Sequence, residues 1–386
     1  MRIVCIHQGY ELYGSDRCFI ESVAALREAW PQADIEVVLP QDGPIVTLLR
    51  AHASRIVFEP LFVLRRSELA RLIFTAPFRL IPALWRAMQR MRSADLVYVN
   101  TVVVLDYLIM ARFFREKVLA HVHEIPDGLK LKIFRAVLLW ADTETIFNSK
   151  ATRAAYRFPP GRTSHVVYNG ITTPADHGDS SYDGMRPLRV LMLGRINRIK
   201  GQDLLIEALA SLPDDIARRL EVRIVGDTFG EDREREEALR AAVIVARLDS
   251  IVRFEPFQND PSPLYRWADI VVVPSRLPEA LGRVAIEAMA YRRPPLVARI
   301  GGLSEVIEDG LTGWTVPPND AQALADKLTQ IVTEPARWRM FGVLGRERFA
   351  ALFAAPTIAR QFQAIVRARF APRGGKPVPR GLASAR

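Results

Sequence analysis

Arg195, Lys200, Glu279, Glu287 and His123 are the side chains of this sequence whose types and spacing could do chemistry. The two glutamates lie in Val271-Val-Val-Pro-Ser-Arg-Leu-Pro-Glu279-Ala-Leu-Gly-Arg-Val-Ala-Ile-Glu287-Ala-Met-Ala290. Eight positions apart, they cannot share one helix face through an i, i+4 step. The spacing therefore predicts one carboxylate at a helix mouth and the other about two turns in, separated by roughly 10 Å along the axis. That is about the length of a ribose-diphosphate unit. Gly282 leaves backbone N–H groups open where an anion would bind. The alternative is two solvated glutamates on an ordinary strand-to-helix connection.

Gly194-Arg195-Ile-Asn-Arg198-Ile-Lys200-Gly201 sets two cations across a glycine-flanked turn. A diphosphate could meet both charges and open backbone N–H groups there, or the loop is a solvated turn. It lacks the Gly-Lys-Ser/Thr frame of a Walker loop. His121-Val-His123-Glu124 follows an apolar run, and strand alternation puts both imidazoles on one side, with His123 nearer the carboxyl end. Histidines at i, i+2 could begin a metal site, but the sequence offers no evident third ligand. His123 either contacts a donor substrate or is a satisfied structural histidine.

These residues need strands that end where they begin. Val271 to Val273 read as a buried parallel strand, and Pro274, Ser275 and Pro278 break the run. Leu281, Ile286, Met289 and Ala290 recur at the spacing of a helix packed on a sheet. Arg2 to His7, Ile35 to Leu39, Ala53 to Phe58, Leu96 to Asn100, Val118 to Val122 and Thr145 to Phe147 read as strands alternating with helices. After a Thr-, Pro-, Asp- and Gly-rich linker at 172–187, Leu188 to Leu193, Val222 to Val225, Ile251 to Phe254 and Pro295 to Ala298 repeat the pattern. The expected division is an amino-terminal domain at 1–171, a second at 188–354, a helix at 355–370 that returns to the first domain, and a disordered basic tail at 371–386. Gly14 stands in the loop Gln8 to Arg17 after the first strand, which lacks the Gly-x-Gly-x-x-Gly dinucleotide spacing.

A chain of 386 residues with 49% hydrophobic content fits two α/β domains better than one. Fifty-three basic against 43 acidic residues give a formal charge of +10, which favours an anionic partner. Cys5 and Cys18 are the only cysteines, so a disulfide framework is excluded and a reducing, cytoplasmic setting is expected. Met1-Arg-Ile-Val-Cys-Ile-His7 opens directly as a strand, with no expected targeting segment. Arg65 to Arg92 holds seven arginines against Glu68, a net +6. Leu80, Ile81, Leu84, Trp85 and Met88 give it an apolar stripe. That pattern fits an interfacial helix, with each basic residue near anionic lipid worth on the order of 1 kcal/mol. It also fits a helix on the sheet with a solvated basic face. Pro77 and Pro82 are expected to split it. No aromatic-basic interleaving suggests a nucleic-acid partner.

Gly194-Arg195 with Lys200-Gly201, the Glu279/Glu287 segment, and Gly301-Gly302-Leu-Ser-Glu305 followed by Gly310-Leu-Thr-Gly313 together resemble the retaining glycosyltransferases of family four. The resemblance extends over nearly the whole chain and is strongest from about 188 to 320. It implies the GT-B fold, two Rossmann-like domains facing each other across a cleft, and transfer of a hexosyl unit from a nucleoside-diphosphate sugar with retention. By the same resemblance Arg195 and Lys200 hold the donor diphosphate without a metal, and Glu287 accepts from the ribose hydroxyls. Glu279, with Leu281, Gly282 and Arg283, faces the donor sugar and phosphates; His123 lines the sugar, and Gly14 matches the family's glycine loop. Tyr13 stands where a second glycine is common, and Glu124 where an aspartate is frequent. Asp176-His-Gly-Asp179 has the wrong spacing for the Asp-x-Asp metal motif. The basic Arg65 to Arg92 segment suggests a glycan or lipid-linked oligosaccharide acceptor, with the protein peripheral at the inner face of the membrane. A non-hydrolysing nucleotide-sugar epimerase and a non-catalytic nucleotide-binding or membrane scaffold are the rival readings.

Overall fold

The computed structural model describes residues 1–12, 14–63, 69–178, 182–228 and 233–370. Tyr13, Arg65, Arg66, Glu68, Asp179 and the 371–386 tail lie outside them, as do the side chains of 69–77. By compactness the chain divides into one unit of Met1–Ala120, Val137–Glu144 and the residues from Ala359, and a second of His121–Ala136 and Thr145–Ile358.

Two parallel sheets carry the fold. The first has strands β1 (Arg2–His7), β2 (Asp34–Leu39), β3 (Arg55–Phe58), β4 (Leu96–Asn100), β5 (Val118–Val122), β6 (Glu144–Phe147) and β7 (Ser164–Val166), in the order β3-β2-β1-β4-β5-β6-β7. The second has β8 (Leu188–Leu193), β9 (Leu220–Val225), β10 (Val252–Glu255), β11 (Ile270–Val273), β12 (Pro295–Ala298) and β13 (Trp314–Val316), in the order β10-β9-β8-β11-β12-β13. Every adjacent pair of the second sheet runs parallel. Each sheet reverses its order of growth once, at β1/β4 and at β8/β11. Such a switch point opens a crevice at the carboxyl ends of the strands, because the connecting helices diverge to opposite faces.

The β-branched run of β11 is a consequence of burial on both sides. Ile270 and Val272 enter one apolar cluster with Val190 and Leu296; Val271 and Val273 enter another with Leu191, Ile286 and Met289. Alternation along the strand thus feeds helices on both faces, and a polar residue at any of the four would be stranded. The sequence reading missed β13 and the short helix Leu303–Val306. Both are too brief to show a period.

Pro77 and Pro82 do not split their segment, contrary to expectation: Leu69–Ser93 is one helix of 25 residues. Each proline removes a single amide donor. The carbonyl freed by Pro82 belongs to Phe78, which is exposed, while Ala83, Ala87 and Met91 bury the next turns. The buried face is this alanine row; Ile81 and Trp85 of the expected stripe point outward.

Candidate functional site

In the second unit, β8 ends at Leu193 and the chain turns through Gly194 and Arg195 to Gly201, which caps the helix Gln202–Ala210. Asn197 shapes the turn, its Oδ1 accepting from the backbone N–H groups of Ile199 at 2.9 Å and Lys200 at 3.2 Å. Gly201 has φ 79° and sits against the Pro274 carbonyl, so a Cβ there would meet both left-handed strain and backbone. This approach sets the turn after β8 beside the loop after β11.

The contact brings Lys200 to Glu279, with Nζ 2.9 Å from Oε1. Ser275 Oγ donates to the same oxygen. Both partners are largely shielded, at 24% and 13% side-chain exposure, so the pair is stronger than a surface bridge while still open to solvent. Gly301 and Gly302 pack against the backbone of Glu279 and Ala280, and Gly302 N–H donates to the Glu279 carbonyl at 2.8 Å. The loop carrying Glu279 is thereby held from both sides.

The helix begins at Arg283, later than the periodicity suggested. Gly282 precedes it with φ 89°, a conformation that ends the loop without a side-chain cap. Leu281 lies before the helix and is buried in the apolar cluster with Leu303. Glu287 is consequently about one turn in, not two. Its Oε1 accepts from Arg283 Nε and its Oε2 from the Tyr265 hydroxyl, both at 2.7 Å.

Arg195 is exposed, and its carbonyl accepts from Gln202 Nε2 at 3.0 Å. His123 lies one residue beyond β5 and is buried; its carbonyl accepts from Asn148 Nδ2 at 3.3 Å. The His121 and His123 rings lie 4.0 Å apart, as the alternation required. Burial, and then the adjacent His123, push His121 well below the usual imidazole range, so it stays neutral. Gly14 belongs to the first unit, as the first residue of the helix Gly14–Ala29. Among the described residues no group of three or more His, Cys, Asp or Glu could hold a metal ion.

Sequence reasoning assigned no role to three residues of this region. Ser275 was read only as a strand breaker. Tyr265 is 22 positions from Glu287, with no periodic link. Glu305 was noted within a glycine motif; in the structure it accepts from the backbone N–H groups of Lys150 at 2.9 Å and Ala151 at 2.5 Å and from Tyr168 OH at 3.1 Å. It thereby caps the helix Lys150–Tyr156.

The paired doubly wound sheets and the turn-and-helix site after β8 and β11 define an α/β protein of the GT-B class. Residues 183–348 match the family described as Glycosyl transferases group 1. D-inositol 3-phosphate glycosyltransferase of Saccharomonospora viridis is 36% identical over 147 residues, 37% of this chain and 34% of the relative. That of Nocardia farcinica is 39% identical over 157 residues, 40% and 35%. The matched stretches thus span little more than a third of these curated relatives. Among solved structures, Anabaena Alr3699/HepE in complex with UDP superposes with a TM-score of 0.80 at 24% identity, covering 95% of this chain and 100% of that one. Sucrose-phosphate synthase from Thermosynechococcus elongatus gives 0.74 at 23%, covering 96% and 99%. At these identities the likeness is one of fold.

Proposed function

We propose that this protein transfers a hexosyl unit from a nucleoside-diphosphate sugar to an acceptor, with retention of anomeric configuration and without a metal. The observation that carries the reading is the Lys200–Glu279 pair, held at the carboxyl ends of β8 and β11 by loops packed backbone to backbone. A leaving diphosphate accumulates negative charge, and a preorganised cation stabilises that charge at little reorganisation cost. Lys200 and the exposed Arg195 supply it, with Lys200 exchanging its Glu279 partner for phosphate oxygens. Glu287 accepts from the ribose hydroxyls. Glu279 and the backbone from Ala280 to Arg283 face the sugar and phosphates, and His123 lines the sugar. The neighbouring fold in Anabaena Alr3699/HepE was obtained with UDP and with UDP-glucose, which makes UDP-glucose the first donor to try.

The acceptor is proposed to be a lipid-linked glycan at an anionic membrane surface, in polysaccharide or lipopolysaccharide assembly. Support comes from the helix Leu69–Ser93, which has five arginines and no acid. Phe78, Ile81 and Trp85 recur on one face of it at 84%, 65% and 59% exposure. Among the described residues no helix is long and apolar enough to cross a membrane.

The test is incubation of nucleotide sugars with and without a lipid-linked acceptor, with the product anomer read by NMR. Acceptor-dependent transfer with the donor's anomeric configuration is expected. An inverted product would overturn retention, and conversion of donor alone would replace transfer by epimerisation.

A further inference from the structure

We infer that Tyr265 is a positioning residue for nucleotide recognition: its hydroxyl fixes the Glu287 carboxylate in the orientation that reads the ribose hydroxyls. The inference rests on the proposed role of Glu287.

Glu287 stands on the helix Arg283–Ala290 with its side chain 20% exposed, so one part of the carboxylate is shielded and another reaches solvent. A glutamate carboxylate left to itself rotates freely about its last bond. Here each oxygen has its own donor, Arg283 Nε on Oε1 and Tyr265 OH on Oε2, both at 2.7 Å. Each oxygen keeps further acceptor capacity, since an ionised carboxylate offers about four lone-pair sites. Two vicinal hydroxyls, such as those of a ribose, are the donor pair that such a clamped, two-oxygen acceptor fits.

The two donors differ in kind. Arg283 is on the same helix, an i, i+4 neighbour whose flexible side chain is 22% exposed. Tyr265 is 1% exposed and is immobilised at every point. Its ring stacks on Tyr291 at 5.0 Å with 13° between planes. Tyr291 is in turn pinned by its hydroxyl, which donates to Ser262 Oγ at 2.7 Å. The Tyr265 carbonyl accepts from Arg293 Nε at 2.8 Å, and Arg293 is itself fully buried. Burial first, and then the adjacent Glu287 carboxylate, push the phenol well above its usual range. It therefore remains a proton donor at any working pH. Such a network locks a rotamer, which is the requirement for a recognition group rather than for a solvated ion pair.

The arrangement has a consequence that a packing role lacks: Tyr265 governs discrimination at the sugar of the nucleotide, not affinity for the phosphates. The experiment is calorimetric titration of UDP, ADP and GDP, each against its 2′-deoxy counterpart, into the wild-type protein, Tyr265→Phe and Tyr291→Phe. The wild type should prefer the ribonucleotide by about tenfold or more, the value of one charge-assisted hydrogen bond. In Tyr265→Phe the preference should fall to within about threefold. Tyr291→Phe, which keeps the stacked ring and both donors of Glu287 but loses the bond to Ser262, should give a ratio between those of the wild type and Tyr265→Phe. Because both nucleotides report on the same folded fraction, the ratio is unaffected if Tyr265→Phe is partly unfolded. An unchanged ratio in Tyr265→Phe would overturn the positioning role while leaving Glu287 as the ribose ligand. A wild type that binds nucleotides without preferring ribose would instead remove Glu287 from that role, and failure to bind any of the three would remove the donor site itself.

Discussion

The crevice after β1 and the crevice after β8 occupy the same topological position in their sheets, yet they are filled in opposite ways. After β1 the space is closed by side chains. Asn100 Nδ2 donates to His7 Nδ1 at 2.9 Å, which leaves His7 Nε2 as the donor to Asp16 Oδ1 at 2.7 Å. Tyr98 OH lies 3.0 Å from both Asn100 Oδ1 and Ser22 Oγ. His7, Asp16 and Asn100 are all buried, and Gly9 presses against two of them. After β8 the space is bounded by backbone, Gly201 against Pro274 and Gly226 against Gly194, and its cations stay nearer solvent, Arg195 exposed and Lys200 24% exposed in its pair with Glu279. Polar groups paired inside a fold hold it together. Polar groups held at a rim by packed backbone are available to a ligand.

Changes on the β8 side should therefore act on chemistry, and changes on the β1 side on stability. The largest effect is expected from Lys200→Ala, with turnover falling by about 10²-fold or more and the melting temperature close to wild type. Full activity in that variant would dissolve the distinction. Asp16→Ala should destabilise the protein by about 3 kcal/mol, because it leaves a buried imidazole N–H unpaired. Its nucleotide affinity, measured on the folded protein, should change by less than about twofold. A stability loss below about 0.5 kcal/mol would show that the buried network does not hold the first unit.

The smallest effect concerns pH within the first unit. Burial would raise Glu36, but hydrogen bonds from Arg90, Arg55 and Arg2 outweigh it and hold the carboxyl below its usual range. Its stabilisation is present above the ordinary carboxylate pKa and is lost as pH falls through the lowered one. Asp106 has the opposite sign. Burial, against the backbone N–H groups of Phe62 and Tyr107, pushes it up to about 6 from 3.8. The folded state then holds a proton that the unfolded chain has released, so stability declines as pH rises from 3.8 to about 6. Denaturation midpoints of Asp106→Asn across that window should lack the decline. A parallel curve for variant and wild type would reject the assignment.

What could be read from the sequence follows the same division. The valine run of β11 and the glycine-flanked turn of 194–201 are local signals; they located the strands and singled out Lys200 and Glu279, but not the ion pair between them. The start of the Arg283 helix was misplaced because the apolar period runs on through Leu281, whereas Gly282 at positive φ ends the loop one residue later. Pro82 misled because a proline reports a missing donor, not whether solvent and the next turn absorb the loss. Tyr265, Glu305 and the Glu36–Arg90–Glu59 network were invisible for a common reason. Each joins residues far apart in sequence through side chains whose partners only the fold supplies. Types such as tyrosine or arginine carry no mark of that pairing.

The site after β8 and β11 is proposed to take a nucleoside diphosphate. Its most direct measurement is calorimetric titration of UDP and UMP into the wild type and Lys200→Ala. The diphosphate is expected to bind the wild type at least about tenfold more tightly than the monophosphate, with that gap closing to within about threefold in the variant. Equal binding of the two nucleotides to the wild type, or an undiminished gap in Lys200→Ala, would contradict it.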